Sequence, residues 1–147
     1  MKLESVHKCP VGFHINRTAN LLRNSFNSFL KPYGIAGEQF TLLKILNENP
    51  AITQTEISEY LYKNKTTITR MMDVLEKKGY ITKVRQNNDR RSFRISVTKS
   101  GKSLISELSG IFDPKIERLN NVFSEEEMAS FLKVIDKFQE FLFKEAK

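Results

Sequence analysis

Three helix-boundary signals in the middle of the chain constrain its fold most. Thr53 and Glu56 form a capping box, because the hydroxyl of Thr53 can accept from the amide of Glu56 while the carboxylate of Glu56 accepts from the amide of Thr53. Asn64 is a favourable N-cap for a second helix, and Gly79 can adopt the left-handed conformation that ends one. This spacing predicts two short helices joined by a tight turn, a helix-turn-helix.

Apolar side chains indicate which side of each helix is buried. The first helix is predicted to bury Ile57, Tyr60 and Leu61, and the second, over residues 65–78, to bury Ile68, Met71 or Met72, and Leu75. A β-hairpin follows, since Ile81–Arg85 is typical of a strand and Phe93, Ile95 and Val97 alternate with polar residues. Between these strands, residues 86–91 are too polar to pack and predict an exposed, charged tip.

The flanking segments are predicted to be helical. Ile15, Ala19, Leu22 and Phe26 recur at helical spacing in a long first helix over residues 10–30, and a shorter helix follows over residues 37–47. Thr98 is the predicted N-cap of a helix of about twenty residues in which Pro114 predicts a break or a kink. A second capping box, Ser124 to Glu127, begins the last helix. The predicted fold class is mainly α with a small β-hairpin.

The net charge is concentrated in the central segment. Residues 61–94 carry ten basic and three acidic side chains, a surplus equal to the chain's whole net charge of +7. A charge run is often only a solvated surface, but here it is interleaved with Thr, Asn and Gln, which favours a polyanionic partner.

The helix-turn-helix suits duplex DNA, because the major groove admits an α-helix whose N-terminal turns reach base edges. An Arg at the hairpin tip could enter a narrow minor groove, with Asp89 orienting the guanidinium of Arg91. The alternative for both features is a solvated surface with a weak ion pair. The predicted DNA contacts are Thr55, Lys65, Thr66, Thr67, Arg70, Asp89, Arg90 and Arg91.

The sequence resembles the MarR family of bacterial winged helix-turn-helix transcription regulators. The resemblance rests on TEISEYL, KTTITRMMDVLEKKGYI and the wing residues Asp89, Arg91, Val97, Thr98 and Gly101, and it covers about residues 40–108 by motif. It implies a homodimer in which the first helix and the last two interlock, and a small aromatic or lipophilic effector. The corresponding division is a dimerisation helix over 1–33, a winged helix-turn-helix over 34–98, and dimerisation helices over 99–147.

The apolar content of the terminal segments agrees with a dimer. Six of the eleven Phe residues lie between Phe112 and Phe143, more apolar surface than a small winged helix could cover. A two-fold partner is the simplest cover, and an intramolecular bundle is the alternative. The predicted interface residues are Ile15, Leu22, Phe131, Ile135, Phe138 and Leu142.

A dimer predicts a pseudo-palindromic operator with half-sites about 34–36 Å apart. We therefore expect a cytoplasmic repressor that a small molecule or an oxidative signal releases from its operator. Cys9 is the candidate redox sensor, although a lone cysteine is more often a small buried apolar residue. A zinc site from His7, Cys9 and His14 is disfavoured, and no metal or cofactor is predicted.

Other classes of protein are disfavoured. The chain lacks both a secretory-signal pattern and an apolar run near the roughly 20 residues of a membrane span, so no membrane association is expected. It also lacks a Gly-rich phosphate loop, which argues against an enzyme. A winged-helix protein-interaction module, or an architectural DNA-binding module without effector response, is the alternative function.

Overall fold

The computed structural model describes residues 11–85 and 93–145. The elements in chain order are the helices α1 (Val11–Leu30), α2 (Gly37–Glu48), α3 (Gln54–Tyr60) and α4 (Lys65–Lys77), the strands β1 (Ile81–Arg85) and β2 (Phe93–Val97), and the helices α5 (Lys99–Asn120) and α6 (Glu125–Glu145). The strands pair antiparallel, with Ile81 opposite Val97 and Arg85 opposite Phe93. The predicted fold class is confirmed: a mainly α-helical chain with one small hairpin.

The chain divides into two compact units, Met1–Ile105 and Ser106–Lys147. The first unit contains α1 to α4, the hairpin and the start of α5. Its buried core comes from every one of these elements. The fully or almost fully buried side chains at its centre are Leu30, Leu42, Leu43, Ile57, Ile68, Leu75 and Ile81.

The predicted helix boundaries of the first unit are confirmed in their chemistry. The amide of Glu56 donates to the hydroxyl of Thr53 at 3.2 Å, and the amide of Thr53 donates to the carboxylate of Glu56 at 2.7 Å. The backbone hydrogen bond from Thr53, followed by the one from its hydroxyl, lowers the pKa of Glu56. After α4, Gly79 has a φ of 75°, the left-handed conformation that its position required.

The spacing of apolar residues predicted that Tyr60 lies on the buried side of α3, and this prediction is wrong. Its side chain is 76% exposed, whereas Ile57 one turn earlier is fully buried. Since α3 has only seven residues, a single buried position per turn is enough to seat it. The phenol ring of Tyr60 therefore remains available at the surface.

The second unit contains the part of α5 that follows Ile105, and the whole of α6. The helix α5 continues from Lys99 to Asn120 through Pro114, so the predicted break is absent. Proline at this position leaves the carbonyl of Gly110, four residues earlier, without its helical donor. Because Gly110 is exposed, water can hydrogen-bond to that carbonyl. The capping box before α6 is present, with the amide of Ser124 donating to the carboxylate of Glu127 at 2.8 Å.

Among the residues that the structure describes, no helix combines the length and apolar character needed to cross a lipid bilayer.

Candidate nucleic-acid interface

The first two turns of α4 present polar side chains above a buried apolar side. Asn64 caps the helix by accepting a hydrogen bond from the amide of Thr67 at 2.8 Å, and Ile68 in the next position is fully buried. Four of the predicted contact residues fall on these turns: Lys65, Thr66 and Arg70 are exposed, and Thr67 is half-buried. The cap defines where α4 begins and the buried isoleucine attaches this polar surface to the core, with the positive end of the helix dipole beside it.

Thr55, a further predicted contact residue, lies in the first turn of α3. Its side chain is exposed, in contrast to Gln54 beside it, which is half-buried. The amide nitrogen of Gln54 lies 3.1 Å from the carbonyl oxygen of Lys65 and 2.5 Å from the hydroxyl of Thr69. The sequence did not indicate this bridge between α3 and α4, since no spacing rule relates the first residue of one helix to the first turn of the next.

The turn between α3 and α4 is tied to α2. Lys63 pairs with Glu38 of α2 at 2.9 Å, and the hydroxyl of Ser58 donates to the carbonyl of Lys63. Tyr62 in this turn has a φ of 49°, and its side chain is 74% exposed. The left-handed conformation of Tyr62 makes the turn tight enough for Asn64 to begin α4 directly.

The hairpin is tied to α4 by Lys83 of β1. The ammonium group of Lys83 pairs with the carboxylates of Asp73 and Glu76, which are three residues apart on α4. The Nζ atom of Lys83 lies 3.2 Å from the Oε2 atom of Glu76. Burial by itself would lower the pKa of Lys83, but the hydrogen bonds and negative charges of the two carboxylates outweigh it, so that the pKa is raised. The predicted contacts did not include this clamp, although the two carboxylates at i and i+3 on a basic segment were a sequence signal for it.

Thr98 connects the end of α4 to the start of α5. Its hydroxyl donates to the carbonyl of Gly79 at 2.6 Å and accepts from the amide of Gly101 at 3.1 Å, so the predicted N-cap is confirmed. Together with Lys83, this bond holds the hairpin and α4 in one arrangement. The predicted tip residues Asp89, Arg90 and Arg91 and the candidate sensor Cys9 lie outside the described residues.

No group of three or more His, Cys, Asp or Glu side chains that could hold a metal ion occurs within residues 11–85 and 93–145. Two open cavities of about 520 and 450 Å³ lie near the junction of α1 and α2. Both are lined in part by Asn27, Ala36 and Gln39.

Comparison with known proteins relates this geometry to a family. The model of the MarR family matches residues 37–93, from the start of α2 into the hairpin. The uncharacterized HTH-type transcriptional regulator YwoH of Bacillus subtilis is 32% identical over 95 residues, which are 65% of this chain and 69% of that relative. The chain belongs to the MarR family.

A second relative matches a similar share of the chain. The HTH-type transcriptional regulator PapX of Escherichia coli is 37% identical over 95 residues, which are 63% of this chain. The matched segment spans only 58% of the length of PapX. Both relatives are named as HTH-type transcriptional regulators.

Solved structures extend the likeness to almost the whole MarR-family fold. The chain matches a protein in a crystal structure of a MepR–DNA complex from S. aureus with a TM-score of 0.83, 24% identity, and coverage of 91% of this chain and 99% of that one. The transcriptional regulator SlyA matches with a TM-score of 0.81, 21% identity, and coverage of 93% and 96%. At these identities the matches establish the winged helix-turn-helix fold.

Proposed function

We propose that this protein is a sequence-specific DNA-binding transcriptional regulator that acts as a homodimer on a pseudo-palindromic operator. In this proposal it is a cytoplasmic repressor, and a small molecule or an oxidative signal releases it from the DNA. The observation that carries the proposal is the exposed polar surface on the first two turns of α4, seated by Ile68 and capped by Asn64.

The chemistry of that surface fits the major groove. Lys65 and Thr66 stand at the positive end of the α4 dipole, where phosphate oxygens are favoured. Arg70 begins the second turn and carries a planar guanidinium that can bind the O6 and N7 atoms of guanine together. Thr67 is half-buried, which leaves its methyl or hydroxyl group near the surface for a single short contact.

The wing adds a second contact to the proposal. In this proposal Arg91 enters the minor groove, Asp89 orients its guanidinium, and Arg90 is a further DNA contact at the tip. The clamp from Lys83 to Asp73 supports this assignment, because it joins the strand that leads to the tip directly to α4. A wing held in this way would contact the groove next to the one that α4 reads.

Exposed apolar surface supports the homodimer. In the single chain α6 has no buried residue, and on α1 only the last residue, Leu30, is buried. Burying a Leu or Phe side chain contributes roughly 1.5–3 kcal/mol, so packing against a second copy of the chain would stabilise this apolar surface. The exposed apolar side chains of α6 include Phe131, Leu132, Val134, Phe141, Leu142 and Phe143.

The interface residues that we propose are Ile15 and Leu22 on α1, and Phe131, Ile135, Phe138 and Leu142 on α6. In the single chain Leu22 is 56% exposed and Phe131 is 58% exposed, and Ile15, Ile135 and Phe138 are half-buried. This assignment keeps residues 1–33 and 99–147 as the dimerisation segments and residues 34–98 as the DNA-binding domain.

Release by an effector completes the proposal. The cavity of about 520 Å³ lies where α1 ends and α2 begins, and its lining includes the apolar Ile35 and the cationic Lys31 and Lys78. A small aromatic ligand, particularly one with a carboxylate, has suitable partners there. A ligand in this cavity would change the angle between α1, the proposed dimerisation helix, and α2 of the DNA-binding domain. Cys9 is the proposed sensor for the oxidative signal.

Selection of bound duplexes from a random library, followed by affinity measurements at several salt concentrations, tests the function. We expect a two-fold symmetric site with half-sites about 10–10.5 base pairs apart, bound far more tightly than random duplex. Binding to random duplex that disappears with added salt, without any selected palindrome, would instead favour the architectural alternative. Absence of duplex binding at low salt would favour a protein-interaction module.

A further inference from the structure

Gln54 uses both hydrogens of its side-chain amide to hold the first turn of α4. Its Nε2 atom lies 3.1 Å from the carbonyl oxygen of Lys65 and 2.5 Å from the hydroxyl oxygen of Thr69. The orientation of the amide follows from chemistry, because the carbonyl of Lys65 can only accept and therefore must face the NH₂ group.

Thr69 closes this contact into a three-membered network. Its hydroxyl donates to the same carbonyl of Lys65 at 2.8 Å, which leaves its lone pairs to accept from Gln54. Each of the three groups is thus bonded to the other two. A closed network of this kind has one geometry, since moving any member breaks two hydrogen bonds together.

The network joins the beginnings of two consecutive helices. Gln54 is the first residue of α3, directly after the capping residue Thr53, while Lys65 is the first residue of α4. Gln54 is half-buried, and Lys65 and Thr69 are exposed. Ile57 of α3 and Ile68 of α4 are both fully buried, but apolar contacts are non-directional and leave the rotation of the first turn of α4 less defined.

We propose that Gln54 is a positioning residue that fixes the start of α4 against α3, so that the phosphate contacts of Lys65 and Thr66 hold Arg70 over its base pair in a single register. This inference rests on the proposed function, because its consequence is sequence discrimination by α4. Displacements of about 0.5–1 Å are enough to spoil directional contacts, and hydrogen bonds to base edges are directional.

Two other roles for Gln54 make different predictions. If it only stabilised the fold, its removal would lower the unfolding temperature and reduce the binding of every duplex through loss of folded protein. If it contacted phosphate directly, its removal would weaken all duplexes by the same factor and leave the selected sequence unchanged. Positioning alone alters the ratio between specific and random duplex.

The test compares Gln54→Ala, Thr69→Val and the double variant with wild type in the full-length protein. Thr41→Val, at an exposed threonine on α2, is the matched control for the valine substitution. We expect the ratio of affinity for the selected palindrome to affinity for random duplex to fall about tenfold in either single variant. The double variant should lose no more than about the larger single effect, because the network fails as a unit.

Gln54→Glu gives a second route if the alanine variant unfolds. A carboxylate in the first turn favours helix α3 but cannot donate to the carbonyl of Lys65. A new selection from the random library with Gln54→Glu should return a broadened consensus at the base pairs that α4 reads. The added charge would weaken binding to all duplexes, so the sequence profile is the readout that counts.

An unchanged consensus and an unchanged affinity ratio in both Gln54 variants would overturn the inference, as would strictly additive effects of Gln54→Ala and Thr69→Val. Failure of the proposed function is separate, since in that case the wild-type protein would select no palindrome at all. A wild-type palindrome with a broadened profile in the variants supports the positioning role.

Discussion

Gly101 packs directly beneath the carbonyl oxygen of Tyr80. A Cβ atom built on Gly101 would collide with that oxygen and would lie 2.8 Å from the Cγ1 atom of Val97. The carbonyl of Tyr80 cannot move aside easily, because it accepts a hydrogen bond from the amide of Thr98 at 3.0 Å. This close approach gives a physical reason for the glycine three residues after Thr98 in the motif that the chain shares with the MarR family.

Gly101→Ala should therefore lower the free energy of unfolding by about 1–3 kcal/mol, the usual cost of forcing extra volume against fixed backbone. Urea unfolding followed by circular dichroism at one protein concentration measures the change. Gly110→Ala in the same helix is the matched control, since its Cβ would meet nothing within 4 Å. It should raise the free energy of unfolding by about 0.5–1 kcal/mol through helix propensity. Equal effects of the two substitutions would contradict the packing explanation.

The clamp between Lys83 and α4 predicts a dependence of stability on pH. The pKa of Lys83 is raised above its ordinary value of 10.5, so its charged form stabilises the folded state. This contribution to the free energy of unfolding is fully present at pH values below the ordinary pKa, and it is lost as the pH rises through the raised pKa of Lys83 in the folded protein. Lys83→Met keeps the apolar stem, removes the charge, and should lower the free energy of unfolding by about 0–1 kcal/mol at neutral pH.

Unfolding by urea at a series of pH values tests the clamp. The difference between wild type and Lys83→Met should stay constant from about pH 7 to 9 and shrink above about pH 10.5. Lys83→Arg should retain the stability of wild type at neutral pH, because it keeps a positive charge beside Asp73 and Glu76. A difference that does not change with pH would mean that the charge of Lys83 does not stabilise the contact between β1 and α4.

Local chemistry explains what could be predicted from the sequence. The caps at Thr53, Asn64 and Ser124 each depend on groups within three residues of one another, so their hydrogen bonds follow from spacing alone. The left-handed conformation at Gly79 is similarly local. These signals placed α3, α4 and α6, and with them the polar surface of α4.

Contacts between distant residues could not be predicted in the same way. The bond from Gln54 to Thr69 and the clamp from Lys83 to Asp73 join residues fifteen and ten positions apart, and they depend on how the helices and strands pack. The prediction for Tyr60 was wrong because the helical spacing of apolar residues indicated several buried side chains on α3, whereas this seven-residue helix buries only Ile57. The helix α5 continues through Pro114 beside an exposed Gly110, and the exposure of a residue four positions earlier does not follow from the pattern of apolar residues.

Arg70→Ala should reduce both affinity and sequence preference. Arg70 is exposed in the second turn of α4, and a bidentate contact with guanine is worth about 1–3 kcal/mol of discrimination. Repeating the selection with the variant should broaden the consensus at one position in each half-site. Arg17→Ala, at an exposed arginine on α1, is the control for loss of one positive charge. An unchanged consensus in Arg70→Ala would remove this residue from base recognition and leave it a contact to phosphate.

Phe131→Asp should convert the proposed homodimer into monomers. The ring of Phe131 is 58% exposed in the single chain, so a charge there disturbs the packing within one copy much less than packing against a second copy. Burying an unpaired carboxylate in an apolar interface costs free energy. The second copy of the chain should therefore dissociate rather than bury the new carboxylate. Light scattering and sedimentation should show the monomer mass, while circular dichroism should show unchanged helix content. Lys133→Asp, at an exposed position on the same helix, should remain dimeric. A Phe131→Asp protein that stays dimeric would place the interface elsewhere on α1, α5 and α6.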